Sequence, residues 1–250
     1  MGLGTWQLTK NTAETVQYAI ELGYHLIDTS SDYRTQPGIG KAIKNAGIAP
    51  EELYIASKVE ETDDSYARTK SNLKELQLDY VDLMLIHRPP FIGVGEELWE
   101  GLIQAKNEGL VKDIGVSNYS VDLIELLIEK SGEVPAVNQI EWTPFGHSRE
   151  MLDYCRQRKI LIQAYSPLTR TKRLNDKTLN EIARIYGKSP AQILIRWNLQ
   201  LGTVSIPKAN QKPHLEEDLD VFDFELDEED MRLLNGLNEH YSSLRSLQYI

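Results

Sequence analysis

The feature of this sequence that most constrains its fold is an even alternation of short apolar runs with amphipathic stretches of helical length. Short apolar runs bounded by turn-forming residues are typical of strands that are buried on both faces of a parallel sheet. The alternation continues along the chain without a linker rich in glycine, serine or proline. The predicted strands are Gly2–Thr5, Tyr24–Ile27, Leu53–Ala56, Val81–Ile86, Asp113–Val116, Ala136–Gln139, Leu161–Ala164 and Thr203–Ile206.

Several of the intervening helices have ends that can be predicted from turn and capping residues. Asn11 with Glu14 three residues later predicts a capping box, and Gly23 is expected to end that helix. The run Ser189–Gln192 predicts a stronger start, because a serine cap is followed by proline and then by the glutamine of a capping box. The acidic run 216–230 is interpreted as a helix start and a solvated surface rather than a binding site.

Strand-helix alternation without a break in composition predicts one α/β domain with a parallel sheet. A doubly wound sheet is one candidate, but the Gly-x-Gly-x-x-Gly turn of that fold follows none of the predicted strands. Division of the 250 residues into eight units gives about 31 residues for each, the size of one strand and one helix in a (β/α)8 barrel. We therefore predict that residues 1–250 form a single (β/α)8 TIM barrel with a ring of outer helices.

Composition excludes several classes of protein. An apolar fraction of 41% with 26% charged residues excludes intrinsic disorder. A formal net charge of -11 argues against a nucleic-acid partner, and the single cysteine, Cys155, excludes an internal disulfide framework or a cysteine-built metal site. No apolar run is long enough to cross a bilayer, and the first residues lack the pattern of a signal peptide. We expect a cytoplasmic enzyme or small-molecule binder with neither a membrane partner nor a metal site.

In a (β/α)8 barrel the active site lies at the carboxyl ends of the strands, so the residues that follow each apolar run are the candidates. Asp28 and Tyr33 follow the second predicted strand, Lys58 the third and His87 the fourth. Each alone has a structural interpretation: an ion pair for the aspartate and lysine, packing for the tyrosine, a hydrogen bond for the histidine. The later strand ends carry Ser117 and Asn118, Gln139–Glu141, Tyr165–Pro167, and Pro207 and Lys208.

Together the four residues predict a proton donor. A phenol with a pKa of about 10 is a poor acid near neutral pH unless a cation stabilises its anion. A partly buried lysine beside Tyr33 does this, and an aspartate holds the ammonium in place. Neither an activated nucleophile nor a metal-ligand constellation nor a phosphate-binding loop is evident, so a bound redox cofactor is the expected source of electrons.

At these residues the sequence resembles the aldo-keto reductase family, and the resemblance runs along nearly the whole chain. Motifs similar to those of the family occur in family order at residues 2–6, 23–33, 57–59, 85–89, 114–119, 138–141, 164–168, 186–197 and 206–208. So many motifs in one order make a chance match negligible.

The resemblance implies a nicotinamide cofactor bound without a Rossmann fold and a catalytic tetrad of Asp28, Tyr33, Lys58 and His87. Tyr33 is then the general acid, Lys58 held by Asp28 lowers its pKa, and His87 orients the carbonyl oxygen. The implied cofactor contacts are Tyr165 on the nicotinamide ring, Ser117, Asn118 and Gln139 on its carboxamide, Ser166 and Leu168 on the pyrophosphate, Lys208 on the adenosine 2′-phosphate, and also Thr5, Trp6, Pro167 and Ile206.

Residues around the implied 2′-phosphate depart from the family pattern. Ala209 stands where a serine is common, and His214 replaces the arginine that lies over the adenine. Glu217 is kept, and Asp218 replaces the asparagine that follows it. The loss of a guanidinium weakens phosphate binding, and Asp218 adds repulsion if it points inward. We expect these positions to contact the cofactor and NADPH to be preferred, since Lys208 gains most from a dianion, with NADH as the alternative.

The implied substrate pocket departs from the pattern too. Trp6 is kept as a pocket aromatic, while Glu60 and Arg88 stand where many members have tryptophan. Two interpretations stay open: the pocket accepts polar or charged carbonyl compounds, or both side chains turn to solvent at its mouth. Because the chain stops soon after its last helix, we expect no long C-terminal lid and a broad choice of substrates.

The predicted function is NADPH-dependent reduction of an aldehyde or ketone to an alcohol by hydride transfer. The alternative is a cofactor-binding regulatory or accessory subunit with weak or no turnover, but a binder has no need of Tyr33 and Lys58. A sugar-hydrolysing barrel would need two facing carboxylates such as Asp28 and Glu141, and Asp28 is required by Lys58. The resemblance also implies a monomer. Because Met1 already lies at the first predicted strand, we expect either that the N-terminal hairpin of the family is missing or that the chain begins downstream of its natural start.

Overall fold

The computed structural model describes residues 1–8 and 10–250, in which eight parallel strands pair in chain order. The strands are β1 (Leu3–Gly4), β2 (Leu26–Asp28), β3 (Tyr54–Val59), β4 (Val81–Ile86), β5 (Val111–Ser117), β6 (Val137–Glu141), β7 (Leu161–Tyr165) and β8 (Val204–Ser205). The sheet closes on itself, because the Gly2 N–H donates to the Ser205 carbonyl at 2.9 Å and the Gly4 N–H to the Pro207 carbonyl at 2.8 Å. The prediction of a (β/α)8 barrel is confirmed.

Helices follow the strands and surround the barrel. They are α1 (Thr12–Leu22), α2 (Gln36–Ala46), α3 (Ser65–Leu76), α4 (Glu96–Asn107), α5 (Val121–Ser131), α6 (Arg149–Arg158), α7 (Lys177–Tyr186), α8 (Pro190–Gln200), α9 (Lys212–Leu219) and α10 (Glu228–Asn235). Both α7 and α8 lie between β7 and β8, and both α9 and α10 follow β8. Among the described residues, none of the helices combines the length and the apolarity that crossing a membrane would need.

The predicted strand positions agree with the structure to within three residues at either end, and β2 shows why a boundary can shift. That strand begins at Leu26, whereas an apolar run from Tyr24 was predicted. Tyr24 is buried by packing against α9 instead, and its hydroxyl donates to the Leu215 carbonyl at 2.9 Å. Apolar character therefore marked burial correctly at Tyr24 but not membership of the sheet.

Two of three predicted helix starts are correct. The Ser189 hydroxyl accepts from the Gln192 N–H at 3.3 Å while the Gln192 side chain accepts from the Ser189 N–H at 2.9 Å, which completes the capping box. Asp227 accepts from the Asp230 N–H at 2.8 Å, so the acidic run does begin a helix. The capping box at Asn11 is wrong, because Asn11 has a left-handed backbone (φ 54°) and its side chain makes no capping bond, whereas a capping residue is normally extended.

The interior of the barrel is narrow and apolar below the site. Lys58 of β3 lies in register with Leu85 of β4, and Ala56 of the same strand with Leu83, so these side chains share one face. At Gly115 of β5 an added Cβ would lie 2.7 Å from the Leu85 side chain and 2.6 Å from a backbone oxygen, which leaves room for glycine alone. The barrel interior below Lys58 is therefore filled by packed side chains, and the Lys58 ammonium is directed toward the carboxyl ends of the strands.

Candidate active site

A fully buried lysine and a buried aspartate form the base of the site. Lys58 Nζ lies 2.8 and 2.9 Å from the two carboxylate oxygens of Asp28, and it donates to the Thr29 carbonyl at 2.7 Å. The Gln139 amide donates to the same carboxylate at 2.6 Å. An ammonium has three protons, and all three acceptors needed to satisfy them are present. The burial of this ion pair is thus fully compensated by hydrogen bonds.

A phenol and an imidazole lie next to this pair. Tyr33 ends a short helical turn after β2, and Lys58 Nζ lies 5.0 Å from the centroid of its ring. The Tyr33 hydroxyl lies 3.5 Å from His87 Nε2, and the two rings meet edge to face with centroids 5.8 Å apart. The structure therefore brings the four residues of the predicted tetrad into one site.

The ionisation of Tyr33 differs from the expectation that Lys58 lowers its pKa. Burial raises the pKa of Tyr33 well above its ordinary value, and the charge of Arg88 acts against this rise. The carboxylates that raise the pKa further are Asp28, Asp32 and Glu60. Tyr33 stays protonated near neutral pH, the form that a proton donor needs.

Glu60 was predicted to contact substrate, yet its carboxylate faces the histidine. Glu60 Oε1 lies 2.8 Å from His87 Nδ1 and accepts from the Ser30 hydroxyl at 3.1 Å. Burial acts to raise the pKa of Glu60, but the hydrogen bond and charge of His87, with Ser30, outweigh it and lower the pKa. Asp32 lies farther from the imidazole, at 3.9 Å from Nδ1. These three side chains form the one group of potential metal ligands found in the described part of the chain, and the Glu60–His87 hydrogen bond accounts for their closeness.

A cavity of 560 Å³ opens above these groups at the carboxyl ends of the strands. The predicted site residues that line it are Trp6, Asp28, Tyr33, His87, Arg88, Ser117, Asn118, Gln139, Tyr165, Ser166, Pro167, Leu168, Ile206 and Lys208. Lys58 lies directly beneath and is fully buried. The predicted residues that the structure does not bring to the cavity wall are Thr5, Glu60, Ala209, His214, Glu217 and Asp218.

The residues outside the cavity wall have identifiable positions. Thr5 is buried and its hydroxyl donates to the Asp28 carbonyl at 2.9 Å, so it braces the strand end. Ala209 is buried in the core, and His214 is exposed on α9. Asp218 is buried on the same helix, and desolvation, with a smaller contribution from Glu217, raises its pKa to about 7. The departure from the family motif at this position thus places a buried carboxyl on α9.

Several cavity residues were not predicted, and Arg170 is the most prominent. Its guanidinium carbon lies 4.3 Å from the centroid of the Trp6 ring, so the two side chains stack across the mouth. Thr169, Arg170 and Thr171 all have left-handed backbones, with φ of 53°, 48° and 66°. Such conformations are strained for residues other than glycine and are concentrated at functional sites. The residue types of this loop do not predict a left-handed backbone conformation, because none of the three is glycine.

The C-terminal segment also reaches the cavity, although the sequence predicted no long C-terminal lid. Leu244 lines the cavity, and Glu141 of β6 accepts from the Ser242 hydroxyl at 2.6 Å and from the Ser243 N–H at 2.9 Å. Tyr249 near the end of the chain is buried. Because Glu141 is engaged by this segment, it does not face Asp28 as the second carboxylate of a sugar hydrolase would.

The cavity has the chemistry that a nicotinamide dinucleotide requires. The Tyr165 ring forms one wall, and its hydroxyl donates to the Asn118 side chain at 2.8 Å. Lys208 also lines the cavity, and burial lowers its pKa. A neighbouring cavity of 440 Å³ shares Gln7 with the first and is lined by Lys212. An aromatic side chain and a lysine in the same cavity, with a second lysine in the neighbouring one, fit a ring joined to phosphates.

The sequence is similar to known proteins along nearly its whole length. The model of the "Aldo/keto reductase family" matches residues 1–239. Methylglyoxal reductase DkgA of Escherichia coli (strain K12) is 40% identical over 245 residues, which cover 96% of this chain and 89% of that protein. Glyoxal reductase of Bacillus subtilis (strain 168) is 39% identical over 244 residues, or 95% of this chain and 88% of that protein.

Solved structures of similar sequence have the same architecture. An aldo/keto reductase from Brucella melitensis is 38% identical with a TM-score of 0.89, covering 94% of this chain and 93% of that one. A Bombyx mori aldo-keto reductase in complex with NADP is 30% identical with a TM-score of 0.90, covering 97% and 90%. The likeness therefore extends over nearly all of the barrel in sequence and in structure.

Proposed function

The chain belongs to the aldo/keto reductase family of carbonyl-reducing oxidoreductases, and we propose that it reduces aldehydes or ketones to alcohols with NADPH. The observation that carries the proposal is the meeting of Tyr33 and His87, 3.5 Å apart, over the buried pair of Lys58 and Asp28. A protonated phenol, an imidazole and a fixed cation in one cavity are the groups that reduction of a carbonyl group uses. We further propose that residues 1–250 act as one domain.

Each residue of the site has a distinct part in the proposed reaction. The cofactor, when bound, supplies a hydride to the carbonyl carbon. Tyr33 gives its hydroxyl proton to the oxygen as negative charge develops there, and it later regains a proton from solvent. The ammonium of Lys58 lies close enough to the Tyr33 ring to stabilise the phenolate, while Asp28 keeps that ammonium fixed. Proton donation of this kind contributes about 10²–10⁴-fold to the rate.

The proposed cofactor is NADPH, held by residues along the cavity. We propose that Tyr165 stacks on the nicotinamide, that Asn118 and Gln139 face its carboxamide, and that Lys208 binds the 2′-phosphate. The support for NADPH is Lys208 in the cavity wall, together with Lys212 in the wall of the neighbouring cavity. A dianionic phosphate gains more from these cations than a ribose hydroxyl does. A similar protein, the Bombyx mori enzyme, was solved in complex with NADP.

We propose small polar carbonyl compounds as substrates, with methylglyoxal and glyoxal as the first candidates. Similar proteins are named for reduction of these two compounds. Arg88 is half exposed at the cavity wall and Arg170 lines the same cavity, so the mouth is polar and cationic. Leu244 and Trp6 are among the residues that form the apolar part of the wall. A small dicarbonyl fits this mixture better than a large apolar aldehyde.

Steady-state oxidation of NADPH in the presence of methylglyoxal tests the proposal. We expect turnover that depends on the carbonyl compound, together with quenching or enhancement of cofactor fluorescence on binding. A cofactor-binding accessory subunit is the alternative, and it would bind NADPH without carbonyl-dependent oxidation. Binding without turnover across a panel of small aldehydes, ketones and dicarbonyls would therefore overturn the proposed activity.

A further inference from the structure

His87 is paired with a carboxylate on the side of its ring that faces away from Tyr33. Glu60 Oε1 lies 2.8 Å from His87 Nδ1, while the opposite nitrogen, Nε2, lies 3.5 Å from the Tyr33 hydroxyl. His87 is buried and the Glu60 side chain is 21% exposed, so water competes little for this contact. The imidazole thus stands between an acceptor on one side and the proton donor of the reaction on the other.

We propose that Glu60 is a positioning residue that accepts a hydrogen bond from the protonated Nδ1 of His87 and so determines the protonation of Nε2, the nitrogen that faces the reacting oxygen. The inference deepens the proposed function and rests on it, because only carbonyl reduction gives Nε2 a partner besides Tyr33. A carboxylate has no proton to give, so Nδ1 must be the donor in this hydrogen bond. The Glu60 side chain is an ionised carboxylate near neutral pH, since its pKa is lowered.

With a proton on Nδ1, the His87 ring has two possible protonation states, one neutral and one cationic. A neutral imidazole carries one proton, and if Nδ1 holds it, Nε2 is an acceptor toward the Tyr33 hydroxyl. Nε2 can donate to a carbonyl oxygen only when the ring holds a second proton and is a cation. Glu60 is then the counterion of that cation. The neutral form with its proton on Nε2 would place a bare nitrogen against the carboxylate at 2.8 Å, which is repulsive.

The other charged groups around His87 do not replace Glu60 in this role. Asp32, in the turn before Tyr33, lies 3.9 Å from Nδ1, which is beyond hydrogen-bond distance, and its side chain is 40% exposed. Arg88 is adjacent in the chain, and its guanidinium lies 3.9 Å from Glu61. The charges of Lys58 and Asp28 neutralise one another below the ring.

The protonation of His87 should determine how the rate of carbonyl reduction depends on pH. If Nε2 must donate to the carbonyl oxygen, kcat/KM falls as pH rises and the second proton of His87 is lost. Tyr33 does not produce this fall near neutral pH, because burial raises its pKa well above the ordinary value. In Glu60→Gln the amide can donate to Nδ1, which permits a neutral ring with its proton on Nε2. The fall of kcat/KM with rising pH should then flatten.

Nitrogen NMR of the imidazole tests the proposal directly. The full-length protein is labelled with ¹⁵N-histidine, and the His87 signals are assigned by their loss in His87→Gln. Long-range ¹H–¹⁵N correlations report which ring nitrogen carries the proton. We expect Nδ1 to be protonated throughout the pH range in which the wild-type protein is folded, with Nε2 losing its proton as pH rises. A neutral ring with its proton on Nε2 in the wild-type protein would overturn the proposal.

Two variants add a comparison that a purely structural role of Glu60 would not reproduce. Glu60→Gln should populate the Nε2-protonated neutral form and flatten the pH profile, whereas the matched variant Asp32→Asn should keep the wild-type proton distribution. Identical spectra for Glu60→Gln and the wild type would also overturn the proposal. If Glu60→Gln does not fold, the wild-type spectrum decides alone. The spectra require neither cofactor nor turnover, so they remain informative even where NADPH oxidation fails.

Discussion

Replacement of Asp218 by asparagine should stabilise the protein, and by an amount that depends on pH. The side chain is 3% exposed on α9, and burial, aided by Glu217, raises the pKa of Asp218 from its ordinary 3.8 to about 7. The folded state therefore binds this proton more tightly than the unfolded state does. The contribution of Asp218 to stability is most favourable below the unfolded pKa, falls as pH rises, and levels off above about pH 7.

The magnitude follows from the difference between the two pKa values, which is about 3. One unit is equivalent to about 1.4 kcal/mol, so ionisation of Asp218 removes about 4 kcal/mol by pH 8. An asparagine has nearly the same shape and no charge, but its amide must also be desolvated. We expect Asp218→Asn to gain about 2–4 kcal/mol at pH 8, or roughly 5–15 °C in Tm, and at most about 1 kcal/mol at about pH 4.5, which lies only just above the pKa of the unfolded state.

Urea denaturation followed by circular dichroism at the two pH values measures this difference. The matched control is Asp220→Asn, since Asp220 is exposed and accepts from Lys188 Nζ at 2.9 Å, a contact that lowers its pKa. The control should show no gain at the higher pH. An equal gain for Asp218→Asn at both pH values, or none at pH 8, would refute the argument from burial.

Three further variants address the cavity. Arg88→Ala should reduce kcat/KM for carboxylate-bearing aldehydes more than for neutral ones, and equal losses would show that Arg88 faces solvent only. Lys208→Ala should weaken NADPH binding by about 10–100-fold, as expected for loss of a charge-assisted contact. NADH binding should change little, and an equal loss for both cofactors in a fluorescence titration would contradict this role. Leu244→Ala should raise KM for larger carbonyl substrates with little effect on kcat, and an unchanged KM would separate Leu244 from the substrate.

Much of the fold could be predicted because its signals are local. Buried strands of a parallel sheet are short apolar runs, and the period of strand plus helix limits the architecture to few choices. The catalytic candidates could be predicted for the same reason, since residues such as Asp28, Lys58 and His87 immediately follow apolar runs. In a barrel these strand ends necessarily converge at one end.

The contacts that were missed depend on geometry with no local signal. The left-handed backbone that turns Arg170 onto Trp6 occurs at residues other than glycine, which composition does not reveal. The contact of Leu244 with the cavity joins positions far apart in the chain. Glu60 was noticed as a departure from the family motif, but only the structure orients its carboxylate toward His87 rather than toward a substrate.

The central claim is that Tyr33 is the proton donor of a carbonyl reductase, and Tyr33→Phe tests it most directly. Two quantities are measured on one preparation: NADPH affinity by cofactor fluorescence and carbonyl-dependent NADPH oxidation. Because the phenylalanine ring fills the same space and lacks only the hydroxyl, we expect unchanged cofactor affinity. Turnover should fall by about 10²-fold or more. Turnover equal to that of the wild-type protein would contradict the account.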